Sequence, residues 1–176
     1  MTTTARLFDD PPVIQKKIAL LGAPGVGKTS LVRRFVESIF DEKYLTTIGV
    51  KVDKKTVKAR GRDVMLMIWD VAGSEESFRI PSSYVRGSAG YLLVVDGTRP
   101  ETAEQGADII SQVGREIGEL PFVLVQNKID LVDAWRLGDA DLEPITGSGQ
   151  PTVRTSALTG EGVEATFLLL AESITR

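Results

Sequence analysis

The chain has 176 residues, 42% hydrophobic and 26% charged, the size and balance of one soluble domain whose core needs no staples. It contains neither Cys nor His, which excludes disulfides, Cys or His metal sites, imidazole general bases and any lipid attached through Cys. Its 21 basic against 24 acidic residues give a net charge of −3, so nucleic acid is not an expected partner.

Residues 1–12 read as a polar, flexible arm closed by Pro11-Pro12, and 13–176 as a single domain. The arm has no apolar stretch of signal-peptide length, no later run reaches a membrane span, and residue 2 is Thr rather than Gly. The expected location is therefore the cytoplasm. Ile18–Leu21 is a buried strand ending at Gly22, with a helix over Thr29–Ile39 behind it. Val50–Ala59 alternates apolar and polar residues, as an edge strand does. Val64–Trp69 is a strongly apolar strand reaching Asp70. Tyr91–Val95 ends at Asp96, and Phe122–Val125 leads into Gln126-Asn127. Pro151–Thr155 is the weakest strand pattern. Helical spacing runs over Thr102–Leu120, weakened by Gly106 and Gly114, and again over Glu161–Ile174. Strands alternating with helices predict an α/β fold, a doubly wound, mostly parallel sheet covered on both faces.

Gly22-Ala23-Pro24-Gly25-Val26-Gly27-Lys28-Thr29 matches G-x-x-x-x-G-K-[ST] in full, between an apolar strand and a helix pattern. Gly25 and Gly27 let the backbone curl so that amide N–H groups face phosphate oxygens, helped by the helix N-terminus. Lys28 brings a fixed positive charge towards the β- and γ-phosphates, and the Thr29 hydroxyl can ligate Mg²⁺. Pro24 has no N–H and a fixed φ, which removes one donor from the loop. Further on, Asn127-Lys128-Ile129-Asp130 follows a strand at the edge where open α/β sheets bind ligands. A carboxylate there can accept from guanine N1–H and the 2-amino group together, donors that adenine lacks.

With these two motifs in this order, the sequence resembles the Ras superfamily of small GTPases, most closely its Rab-like branch. Further support comes from Thr46-Thr47-Ile48-Gly49-Val50, Trp69-Asp70-Val71-Ala72-Gly73, Thr155-Ser156-Ala157 and the segment Ser82–Ser88, so the resemblance spans about residues 16–175. It implies a P-loop G-domain of six strands, one of them an antiparallel edge at Val50–Ala59, with five main helices. It implies that Gly22, Pro24, Gly25, Val26, Gly27, Lys28, Thr29 and Ser30 meet the nucleotide. Phe40 would lie against the guanine ring and Tyr44 would close over the phosphates. Thr29, Thr47 and Asp70 would hold Mg²⁺, Asp70 through water. The Thr47 and Gly73 N–H groups would sense the γ-phosphate. Asn127 would brace the loops, Lys128 would lay its stem along the base, and Asp130 would read guanine. Ser156 would support Asp130, and the Ala157 N–H would reach the guanine carbonyl.

The chain departs from the family pattern in three places. Ser74 stands where the family usually has a Gln whose amide orients the attacking water, and a hydroxyl two heavy atoms shorter should not reach it unaided. Slow hydrolysis is the expectation, unless Glu75, Glu76 or a partner supplies the function. No Arg lies between Asp41 and Val50, which leaves Arg79 as the nearest internal arginine, while an activating protein could bring its own. Membrane-cycling relatives end in prenylated cysteines, and here there are none: either a tail has been lost or the protein works without a lipid, as a prokaryotic member would. The leading expectation is a GTP/GDP switch that meets effector, activating and exchange proteins through Ile48–Val52 and Ser77–Tyr84. The alternatives are a nucleotide-holding scaffold that does not hydrolyse GTP and, if NKID is accidental, an ATPase.

Overall fold

The computed structural model describes residues 11–37, 50–71, 79–147 and 149–176. The strands are β1 (Ile14–Leu21), β2 (Val50–Ala59), β3 (Arg62–Val71), β4 (Gly90–Asp96), β5 (Phe122–Asn127) and β6 (Thr152–Thr155). The helices are α1 (Lys28–Glu37), α2 (Ser82–Val85), α3 (Glu101–Ile117), α4 (Asp139–Thr146) and α5 (Val163–Ile174), with one turn of 3₁₀ helix at Val132–Ala134. The sheet order is β2-β3-β1-β4-β5-β6. Every neighbouring pair is parallel except β2 with β3. The six-stranded, mostly parallel α/β fold expected from the sequence is therefore the one observed, antiparallel edge strand included.

Side-chain alternation along β1 splits the core in two. Ile18 and Leu20 pack with Val32 and Phe35 of α1 and with Phe167 and Leu170 of α5 on one face. Ala19 and Leu21 face the other side, with Ile109 and Val113 of α3 and with Leu142 and Ile145 of α4. Phe35 and Phe167 stack at a centroid distance of 4.0 Å and join α1 to α5. The outer strand β2 carries Lys51, Lys54, Lys55 and Lys58. Lys58 pairs with Asp63 across the hairpin at 3.3 Å, and Lys55 bonds the Phe35 carbonyl. No helix among the described residues is long and apolar enough to cross a membrane.

Element ends differ from the sequence expectation for local reasons. β1 starts at Ile14 because it pairs with β3 from Ile14↔Val64 onward, although its first residues are half-exposed. α3 stops at Ile117, where Gly118 adopts φ +84° and its N–H caps the Gly114 carbonyl. α5 begins at Val163 rather than Glu161, because Gly162 sits at φ +71° with any Cβ blocked by the Arg154 carbonyl. Helix α4 has no apolar repeat to announce it, only Leu142 and Ile145 inward, and Pro144 lies inside it. The Asp141 carboxylate starts it by accepting the Gly138 N–H at 2.8 Å.

Parallel pairing brings the C-terminal ends of five strands to one edge of the sheet. Leu20 lies beside Asp70, Asp96 beside Asn127, and Asn127 beside Thr155. Ligands of open α/β sheets bind at such an edge.

Candidate functional site

The 22–29 loop leaves β1 and enters α1 under close steric control. A Cβ at Gly22 would strike the Val94 carbonyl, and one at Gly27 would strike the Asn127 side-chain amide. Gly25 and Gly27 sit at φ +74° and +101°.

Three successive carbonyls of this loop are held by side chains from elsewhere in the chain. The Pro24 carbonyl accepts from Arg99 Nη2 at 2.8 Å, Gly25 from Lys128 Nζ at 3.0 Å, and Val26 from Asn127 Nδ2 at 2.9 Å. The peptides are trans, so each pinned carbonyl turns the following N–H the opposite way. The N–H groups of Gly25, Val26 and Gly27 thus face away from those three partners, as an anion cradle requires. Lys28, buried at the start of α1, donates to the Gly22 and Ala23 carbonyls at 2.8 and 3.0 Å. Burial lowers its ammonium pKa to about 8; Asp70 opposes that shift and Arg99 adds to it.

Thr29 Oγ1 donates to Asp70 Oδ2 at 2.6 Å, and Asp70 is buried at the end of β3. A hydroxyl and a carboxylate side by side are hard oxygen donors of the kind Mg²⁺ takes together with phosphate oxygens and water. Among the described residues no cluster of three carboxylate, His or Cys side chains gathers to hold a metal alone. The donor set fits a cation that arrives with a phosphate ligand.

The second half of the site is built at the ends of β5 and β6. The Thr155 hydroxyl donates to Asn127 Oδ1 at 3.0 Å, so both ends of the Asn127 amide are committed. Lys128 has φ +73°, rare for a side chain with a Cβ, and this bends its stem back towards the phosphate loop. Ser156 Oγ donates to Asp130 Oδ1 at 2.7 Å and accepts the Thr159 N–H at 3.1 Å. Ala157 is buried beside it.

The structure brings together Gly22, Pro24, Gly25, Val26, Gly27, Lys28, Thr29, Asp70, Asn127, Lys128, Asp130, Ser156 and Ala157, with Ser30 in the first turn of α1. Phe40, Tyr44, Thr47, Gly73 and Ser74 lie outside the described residues, as do Glu75 and Glu76. Arg79 lines a surface cavity of about 490 Å³ with Gln112 and Arg115 of α3. The arginine on the phosphate loop is Arg99. Sequence reasoning missed it together with Asp96 and Thr98. The available signal was a strand ending in Asp at the ligand edge of the sheet, followed at once by Thr and Arg.

Comparison with known proteins agrees with this geometry. The Ras family model matches residues 17–176. "Ras-related protein Rab-4" of Dictyostelium discoideum is 36% identical over 165 residues, 93% of this chain and 80% of the relative. "Ras-related protein RIC1" of Oryza sativa subsp. japonica is 36% identical over 163 residues, 90% of this chain and 79% of the relative. The chain belongs to the Ras family and is a Rab-like small GTPase.

Proposed function

We propose that this GTPase is a Mg²⁺-dependent, cytoplasmic GTP/GDP switch whose intrinsic hydrolysis is slow. The observation that carries the reading is that consecutive residues tie the 22–29 loop to the Asp130 turn: Asn127 donates to the Val26 carbonyl, Lys128 to the Gly25 carbonyl, and Asp130 is held by Ser156.

In this reading the Gly25, Val26 and Gly27 N–H groups and Lys28 hold the phosphates, with Gly22 and Ser30 at the loop's two ends. Phe40 and the Lys128 stem flank the base, and Tyr44 covers the phosphates. Asp130 takes guanine N1–H and the 2-amino group, steadied by Ser156, and the Ala157 N–H meets the guanine carbonyl. Thr29, Thr47 and Asp70 would hold Mg²⁺, which would supply positive charge to the bound phosphates. The Thr47 and Gly73 N–H groups sense the γ-phosphate, and its loss releases the flanking segments. Effector, activating and exchange proteins would read that change at Ile48–Val52 and Ser77–Tyr84.

Hydrolysis adds water to the γ-phosphorus and breaks its bond to the bridging oxygen, giving GDP and phosphate. The step depends on orienting that water, and Ser74 offers one short hydroxyl where an amide would reach. A single-turnover assay of GTP-loaded protein tests this. Bound GTP should persist in the parent and decay about tenfold faster, or more, in Ser74→Gln. Equal decay would mean another residue orients the water. No decay in either would favour a scaffold that holds nucleotide without hydrolysing it, the reading that Ser74 and Pro24 also support.

Lys28 gives the nucleotide site a pH dependence. Burial puts its pKa at about 8, against an ordinary 10.5. The fold therefore carries the full cost of this buried ammonium below pH 8 and is relieved of it as pH rises from 8 to 10.5. Phosphates beside Lys28 favour the charged form, so binding near pH 9 should take up a proton and affinity should fall as pH rises through 8. Calorimetry of GDP binding in two buffers of different ionisation enthalpy should show this uptake in the parent and lose it in Lys28→Met.

A further inference from the structure

Two of the three side chains that pin the phosphate loop converge on one buried carboxylate. Asp96 closes β4 with no exposed surface. Its Oδ2 receives Arg99 Nε at 3.1 Å and Lys128 Nζ at 2.7 Å. Its Oδ1 receives the Thr98 N–H at 2.8 Å and the Thr98 hydroxyl at 2.7 Å. Burial alone would raise the Asp96 pKa, but the bonds from Lys128 and Thr98 outweigh it and hold the carboxyl below its ordinary value. Both cations keep donors for the phosphate loop: Arg99 Nη2 reaches the Pro24 carbonyl and Lys128 Nζ the Gly25 carbonyl.

Pro24 gives this arrangement a purpose. The peptide between Ala23 and Pro24 has no N–H to offer a phosphate, so the first donor after it is the Gly25 N–H. That N–H belongs to the peptide whose carbonyl is Pro24's, and Gly25 at φ +74° is held in place by no side chain of its own. Arg99 grips that carbonyl from outside while its Nε is anchored to Asp96. The guanidinium meets the two acceptors with two separate donors held in one plane, Nε on Asp96 and Nη2 on Pro24, a spacing that a lysine ammonium at this position would not reproduce.

We propose that Asp96 and Arg99 are positioning residues for the phosphate loop, a clamp that aims the Gly25 N–H and, through the carboxylate shared with Lys128, couples the grip on phosphate to the grip on the base. The proposal rests on the reading of residues 22–29 as the phosphate loop. The turn carrying the clamp does not depend on the Arg99 side chain. The Arg99 N–H bonds the Asp96 carbonyl at 3.0 Å, and the Arg99 carbonyl accepts from the Thr102 N–H and hydroxyl.

The test compares GDP and GMP affinity, and nucleotide-free melting temperature, for the full chain, Arg99→Ala and Arg99→Lys. Both variants should bind GDP about tenfold more weakly, or worse, and lose much of the parent's preference for GDP over GMP. Their nucleotide-free melting temperatures should stay within a few degrees of the parent's. Parent-like GDP binding in Arg99→Ala overturns the clamp. So does an equal loss of GDP and GMP binding with a large fall in melting temperature, which would mark Arg99 as merely structural. A parent-like Arg99→Lys would show that charge alone suffices and overturn the two-acceptor geometry. A parent chain that binds neither nucleotide overturns both the clamp and the loop reading, an outcome distinct from failure of the clamp alone.

Discussion

Asp130→Ala should weaken GDP binding about a thousandfold and remove the preference for guanine over adenine, with little change in nucleotide-free stability. The reason lies in how fully this carboxylate is prepared. Ser156 is buried, its oxygen already accepts the Thr159 N–H, and its proton goes to Asp130 Oδ1. The carboxylate is therefore oriented before any ligand arrives, and a base that cannot satisfy it leaves a polar group unpaired. Removing the carboxylate abolishes both the reward for guanine and the penalty for adenine. Competition of GDP and ADP against a fluorescent guanine nucleotide measures this directly. A variant that still rejects ADP as strongly as the parent would show that some other group reads the base.

Gly27→Ala should cost about 3 kcal/mol of stability and abolish measurable nucleotide binding, because two penalties fall on one residue. Gly27 sits at φ +101°, and its new methyl group would run into the Asn127 amide. That amide links the Val26 carbonyl to the Thr155 hydroxyl, so displacing it loosens both halves of the site. Gly87→Ala is the control. It has φ +79° with nothing within 4 Å of the added carbon, so it should show the backbone cost alone, about 1 kcal/mol. Thermal melts of both variants separate strain from collision. Equal melting temperatures would mean that the loop yields around the methyl group.

The inner strands β1, β3, β4 and β5 were legible because each carries an apolar run that gives way to a Gly or polar residue at its end: Gly22 after Leu21, Asp70 after Trp69, Asp96 after Val95, Gln126-Asn127 after Val125. The positions of the 22–29 loop and the Asn127–Asp130 turn were legible because each motif is written in consecutive residues directly after a strand. Helix α4 was not, since its hold on the core is two residues and its sequence contains a proline. The Asp96–Arg99 pair was not, because its meaning depends on contact with Pro24, 75 positions from Arg99 along the chain. An exposed-looking arginine after a strand has no local signature of that contact.

The outer strand β2 has a consequence for how this molecule behaves in a crowded solution. Among the described residues β2 pairs with β3 alone, and a ten-residue outer edge is a template on which a second copy could extend the sheet. Along β2 any such copy would meet charged side chains, the exposed Lys54 and the Lys51–Asp53 and Lys58–Asp63 pairs, which it would have to strip of water. The opposite edge, β6, is four residues long and offers little to grow from. Charge at one boundary and brevity at the other both oppose growth of the sheet beyond its two margins.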